Sequence, residues 1–196
     1  MRILTEAYSS FVLQAFGIPL LLCIGGQGER GRKMLFSFVV ICLIASLISV
    51  FFPAIGTFST YLPDDLSNVD PDHANRFLAQ FNAVRDNPDF VLTPLQSQGI
   101  LTFPSVHAAL AALAVWGVWY MPWVRLPALL LNALMLISTF TDANHYLSDV
   151  IAGVVLTILV VTLTTRVTLL QPVFNRTPNR PIRPWNDVPI AEAKLR

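Results

Sequence analysis

The chain has 196 residues, 54% of them hydrophobic and 13% charged, with a formal net charge of +1. A soluble domain carries about 25% charged residues, and a balance this close to neutral gives no reason to expect a nucleic-acid partner. The two cysteines, Cys23 and Cys42, lie inside apolar runs and read as small buried hydrophobes, not as a disulfide or a metal pair.

The charges are bunched. None occurs from Ala7 to Gly28, Met34 to Ala54, Val91 to Val124, Leu126 to Thr141 or Val150 to Thr165. A helix crosses a bilayer core with about 20 apolar residues, so the expected fold is an all-α integral membrane protein, a bundle of about five transmembrane helices. In chain order the first span is Tyr8–Ile24, with Pro19 as a kink. It is too long for a signal peptide and lacks a strongly basic start and a clear small-x-small cleavage site. Met34–Phe52 follows, ended by Pro53. An outer connection covers 53–103, in which Asp70-Pro71 starts a short amphipathic helix with Phe77, Leu78, Phe81 and Val84 on one face. Ser105–Met121 is opened by Pro104 and closed by Pro122. Leu126–Phe140 and Asn144–Leu169 complete the set. Residues 1–171 form the membrane domain, and 172–196 an Arg/Pro-rich tail.

Positive charge orients the bundle. Arg30, Arg32 and Lys33, then Arg125, then Arg166, Arg176, Arg180, Arg183, Lys194 and Arg196 fall on one side when five spans alternate. That side holds ten of the thirteen basic residues and is assigned to the cytoplasm. The aspartate-rich 53–103 connection is assigned outside, and the starts of the third and fifth spans share that outer boundary. The localisation expected is a bacterial inner membrane with an outward-facing site. An odd count with an external amino end suggests a preceding span that the sequence does not include. Trp116, Trp119, Tyr120 and Trp123 form an aromatic belt at the inner boundary.

Two groups of chemistry-bearing residues stand at the outer boundary: Ser105 with His107, and His145 with Asp149. Ionisable groups there are costly to keep and call for a functional account. A carboxylate four residues from a histidine on a helix fixes the ring tautomer and leaves the other nitrogen as nucleophile or base. The amino end of the third span suits an anion such as phosphate, with Ser105 as a hydroxyl donor and His107 placed to protonate a leaving oxygen. This is the equipment for phosphoryl transfer through a phosphohistidine on His145, with no metal or other cofactor required. His73 has no partner pattern and reads as solvated. Asp142 and Asn144 either contact a headgroup or cap the fifth span.

Phe103-Pro104-Ser105-Val106-His107-Ala108, followed by His145-Tyr146-Leu147-Ser148-Asp149-Val150-Ile151-Ala152-Gly153, resembles the type 2 phosphatidic acid phosphatase superfamily. The His-Tyr-x-x-Asp form, with Asn132, Thr139 and Pro53-Ala54-Ile55-Gly56, looks closest to its inositol phosphorylceramide synthase and sphingomyelin synthase branch. The resemblance covers roughly Tyr8 to Thr165. It implies a six-helix core with the first helix absent here, and a lipid phosphatase or phosphotransferase working on a membrane lipid phosphate or phospholipid. By the same resemblance His145 is the nucleophile, Asp149 its partner, His107 the acid and Ser105 a phosphate contact.

The sequence departs from the family pattern in three ways. Thr139 stands where full motifs carry arginine, Val106 stands where glycine is usual, and the upstream Lys-x6-Arg-Pro motif is missing. Arg76 and Arg85 are the only basic residues of the outer connection and thus the candidate phosphate contacts. Two alternatives stay open: a metal-binding membrane protein using His107, His145 and Asp149, and a non-catalytic protein retaining the fold.

Overall fold

A computed structural model describes residues 2–57, 71–87, 89–91, 101–141 and 145–169, with the side chains of 71–78, 141 and 167–169 excepted. The described residues form seven helices and no strand: α1 (Arg2–Ser9), α2 (Phe11–Ile24), α3 (Gly28–Phe51), α4 (Pro71–Asp86), α5 (Val106–Val118), α6 (Pro122–Thr141) and α7 (Leu147–Leu169). The tail from residue 170, Asp142 and Asn144, and the side chains of His73 and Arg76 lie outside the described residues.

The bundle is arranged around α5. This helix is apolar on every side, which marks a fully enclosed helix. Ala108, Ala109, Leu110, Ala111, Leu113, Ala114, Gly117 and Val118 are buried, and α5 packs against α2, α3, α6 and α7. Its neighbours bury only a stripe, as α3 does with Met34, Ser37, Ile41 and Ala45. Their outer faces expose Leu43, Val50, Leu130, Ile158 and Leu163. A water-soluble protein does not present apolar surface on this scale, whereas a bilayer solvates it.

Among the described residues, three helices are long and apolar enough to cross a membrane: α3, α6 and α7. The pair α1–α2 makes a fourth if counted as one bent span. The third expected span, Ser105–Met121, contains only the 13-residue α5, about 20 Å at 1.5 Å per residue. It is bounded by the Ser105 cap and by a turn before Pro122. The first expected span is divided. The chain bends by 52° at the α1–α2 break, while α2 runs as helix through Pro19, the expected kink.

Two connections expected to be loops are helical. Three residues suffice to turn α2 into α3, since Gly26 takes φ +75°, and Gly25 and Gln27 donate to the carbonyls of Leu21 and Leu22. Arg30, Arg32 and Lys33 therefore belong to α3. Pro122 occupies the first position of α6, where its missing N–H costs nothing, so Arg125 is helical too.

Arg30 closes α5. Its Nε donates to the Gly117 carbonyl at 2.7 Å and its Nη2 to that of Trp116. The guanidinium stacks on the rings of Trp116 and Tyr120, 4.3 and 4.5 Å from their centroids. These contacts satisfy carbonyls that the end of a helix leaves without partners.

The opposite end of α5 is set by α7. A β-carbon on Gly153 would lie 2.2 Å from the Ser105 carbonyl oxygen and 3.2 Å from the Ala109 nitrogen. One turn further on, Thr157 Oγ1 donates to the Ala109 carbonyl at 2.9 Å. Gly153→Ala must push the two helices apart, an overpacking change that costs about 1–3 kcal/mol. Its melting temperature in detergent should fall by several degrees. Gly17→Ala, whose β-carbon meets only Leu13 at an ordinary 3.5 Å, should melt close to the wild type.

Candidate active site

Ser105 is the N-cap of α5. Its backbone is extended, and its Oγ accepts from the Ala108 N–H at 3.3 Å. Its own N–H donates to the Asp149 carbonyl at 3.0 Å. The hydroxyl proton remains to be donated, and His145 Nε2 stands 3.2 Å away.

His145 is reached from a different direction than helical spacing implies. It precedes α7, which begins at Leu147. Asp149 is the third residue of that helix, and its Oδ2 reaches back to accept from the Tyr146 N–H at 2.8 Å. This is the carboxylate half of a capping box, and it fixes the backbone immediately after His145. The other anchor is the carbonyl of Thr139 near the end of α6, which accepts from the His145 N–H at 3.2 Å. With the ring held between these anchors, Nδ1 lies 3.5 Å from Asp149 Oδ2. That is an ion-pair distance, and Nδ1 makes no closer hydrogen bond. Asp149 Oδ1 accepts from Ser148 Oγ at 3.1 Å.

Ser105, His145 and Asp149 are 0%, 5% and 3% exposed. A proton on Nδ1 faces the carboxylate, and the Nε2 lone pair then accepts from Ser105. The amino ends of α5 and α7 meet here, joined by the Ser105–Asp149 backbone bond. Each brings first-turn N–H groups with no intrahelical acceptor and the positive end of a helix dipole.

His107, in the first turn of α5, is within electrostatic reach of His145. Its ring packs against Tyr8, stacked at 4.1 Å and 13°, and Phe11, tilted at 4.3 Å. Neither aromatic belongs to a motif, and nothing in the sequence pairs them with residue 107.

Arg85 is not brought to this group. Its guanidinium lies 5.5 Å over the Phe81 ring one turn earlier in α4. Arg76 falls within α4, its side chain outside the described residues. Thr139 is fully buried and its hydroxyl donates to the Leu136 carbonyl at 2.7 Å, so the position that carries arginine in full motifs brings a backbone acceptor here. Among the described residues, no group of three or more His, Cys, Asp or Glu side chains has the arrangement of a metal site.

Fold and site define an all-α membrane protein with a buried hydroxyl–imidazole–carboxylate group where two helix amino ends meet. The family model described as the PAP2 superfamily matches residues 1–163, and the chain belongs to that superfamily. No curated protein and no solved structure matches the chain. Membership suggests phosphatase or phosphotransferase activity on a phosphate ester.

Asp149 has a structural duty at Tyr146 beside whatever it does for His145. Asp149→Asn keeps an acceptor for the Tyr146 N–H, while Asp149→Ala orphans it, at a cost of about 1–3 kcal/mol. Thermal melts in detergent should rank wild type above Asn and Asn above Ala.

Proposed function

We propose that the protein is an integral-membrane phosphatase or phosphotransferase acting on a lipid phosphate through a phosphohistidine. The observation that carries this reading is the buried His145 ring, with Ser105 Oγ 3.2 Å from Nε2 and Asp149 Oδ2 3.5 Å from Nδ1. An imidazole held on one side by a carboxylate has a defined tautomer and an available lone pair.

In this mechanism Nε2 of His145 attacks phosphorus, and a P–N bond forms as the P–O bond to the leaving alcohol breaks. Asp149 stabilises the resulting imidazolium. His107, protonated, gives its proton to the departing oxygen. Water or a second lipid alcohol then attacks phosphorus, returns a proton to His107 and releases His145. Ser105 changes partner during the cycle, its hydroxyl moving from Nε2 to a phosphate oxygen. Basic side chains are scarce, and the meeting amino ends of α5 and α7 support the reading that backbone N–H groups and dipoles stabilise the equatorial oxygens. Arg76 remains a candidate further contact; Arg85 would have to leave Phe81.

The His145-Tyr146-x-x-Asp149 form resembles the inositol phosphorylceramide and sphingomyelin synthases, which supports a phospholipid donor and a lipid alcohol acceptor as one version of the reaction. The bias of basic residues supports an active site at the outer face of a bacterial inner membrane. A second reading, a non-catalytic member that keeps the fold, is favoured by the buried Thr139 and by Arg85 stacked on Phe81.

A screen of lipid phosphates and phospholipids, reading both free phosphate and headgroup-exchanged lipid, tests these readings. His145→Ala should lose at least about a thousandfold in turnover while remaining inserted. The wild type should trap an acid-labile phosphoenzyme that the variant does not form. Full turnover in His145→Ala overturns the mechanism. Wild-type turnover no higher than that of a His107/His145 double variant establishes the non-catalytic reading.

A further inference from the structure

His107 is gripped by two rings that straddle a break in the chain. Tyr8 is the penultimate residue of α1 and Phe11 opens α2, with centroids 4.1 and 4.3 Å from that of the imidazole. Tyr8 lies flat against the imidazole, at 13° between planes, and Phe11 meets it tilted by 41°. Phe11 is backed in turn by Phe38 of α3, edge-on at 6.0 Å. In a straight helix, residues 8 and 11 are neighbours on one surface. The chain bends by 52° between them, with Ser10 at φ −66° and ψ −6° and the Ser10 N–H still donating to the Glu6 carbonyl at 3.0 Å.

The bend is held by buried polar groups. Ser10 Oγ donates to the Ala7 carbonyl at 2.6 Å and accepts from Gln14 Nε2 at 2.9 Å. Gln14 Oε1 accepts from Asn132 Nδ2 of α6 at 2.8 Å, and Asn132 Nδ2 also donates to the Ala128 carbonyl at 2.8 Å. Gln14 and Asn132 are 5% and 2% exposed. Packing alone does not call for such a pair, since apolar residues of the same shape fill such a space at little or no cost in stability. What the bracket adds is a fixed geometry at Ser10.

We propose that the α1–α2 break is a clamp that orients His107 for proton donation. Tyr8 and Phe11 are positioning residues that act through His107, and Ser10, Gln14 and Asn132 set the spacing between them. The proposal rests on the reading of His107 as the acid that protonates the leaving oxygen. The return of the proton to His107 in the second step is common to every substrate; the step in which the leaving oxygen departs is the one that differs between substrates. A leaving alkoxide needs the proton as the P–O bond breaks; a nitrophenolate departs without it.

The experiment compares turnover of a long-chain alkyl phosphate with that of a nitrophenyl phosphate, both in the same detergent micelles. The quantity read is the ratio of alkyl to aryl turnover, which is independent of how much of each preparation is folded. In Tyr8→Ala and Phe11→Ala the ratio should fall by about 10- to 100-fold, part of the 10²–10⁴ that a positioned acid contributes. In Gln14→Leu it should fall by at least about threefold through loss of geometry. Tyr8→Phe, which keeps the ring, should restore the ratio to within about twofold of wild type. His107→Ala separates this proposal from the reading beneath it. A collapsed ratio in His107→Ala beside an unchanged ratio in the Tyr8 and Phe11 variants overturns the clamp alone. An unchanged ratio in all of them overturns the acid role and the clamp together.

Discussion

The amino ends of α5 and α7 meet because residue 153 has no side chain. The Ser105 carbonyl occupies the space that a β-carbon there would need, and every other element of the site is measured from that contact. It brings the Asp149 carbonyl within reach of the Ser105 N–H and Ser105 Oγ to His145 Nε2. It also brings together two helix dipoles whose positive ends repel each other. Facing each other across a few ångströms, they form an arrangement that an anion relieves. The close approach thus creates an electrostatic demand as well as a geometric one.

Polar groups enclosed in an apolar bundle are costly unless partnered, and here the partners come in chains. Asp149 accepts from Tyr146 and Ser148 and faces His145. Ser105 accepts from Ala108 and meets His145 from the other side. Two of these contacts, from Tyr146 and Ala108, come from backbone N–H groups at helix starts, where the donors exist whatever the side chains are. The weakest link is His145 Nδ1, at 3.5 Å from the carboxylate. A ring held loosely at one nitrogen can make the small rotation that the proposed attack on phosphorus requires.

Much of this was legible in the sequence. The charge-free runs locate α2, α3, α6 and α7 within a few residues, and the motifs place Ser105 and His145 at one end of the bundle. Less visible was the short α5, because the apolar run continues through Trp119 and Tyr120 into the turn. The helical placement of His145 missed a signal that was available: an acidic residue three positions after Tyr146 marks a helix start, and it puts His145 just outside. The break at Ser10 was not available. Ser9 and Ser10 look unremarkable inside an apolar stretch, and the bend depends on Asn132, more than a hundred residues away. The same holds for Tyr8 and Phe11 around His107, a meeting that only the tertiary fold specifies.

Arg30 was read from the sequence as one charge among several that orient the chain, and in the structure it is the residue that terminates α5. These two duties cannot be separated. A chain inserted with its helices inverted would carry the Arg30 side chain through the same packing and still cap α5, but the charge would then sit in the wrong leaflet's field. A chain that lost the charge to correct its orientation would take the Arg30 donor from the Gly117 carbonyl and leave the Trp116 carbonyl only the 3.4 Å bond from the Trp119 N–H. Orientation in the bilayer and completion of the central helix are therefore under one control, and a change at residue 30 reaches both.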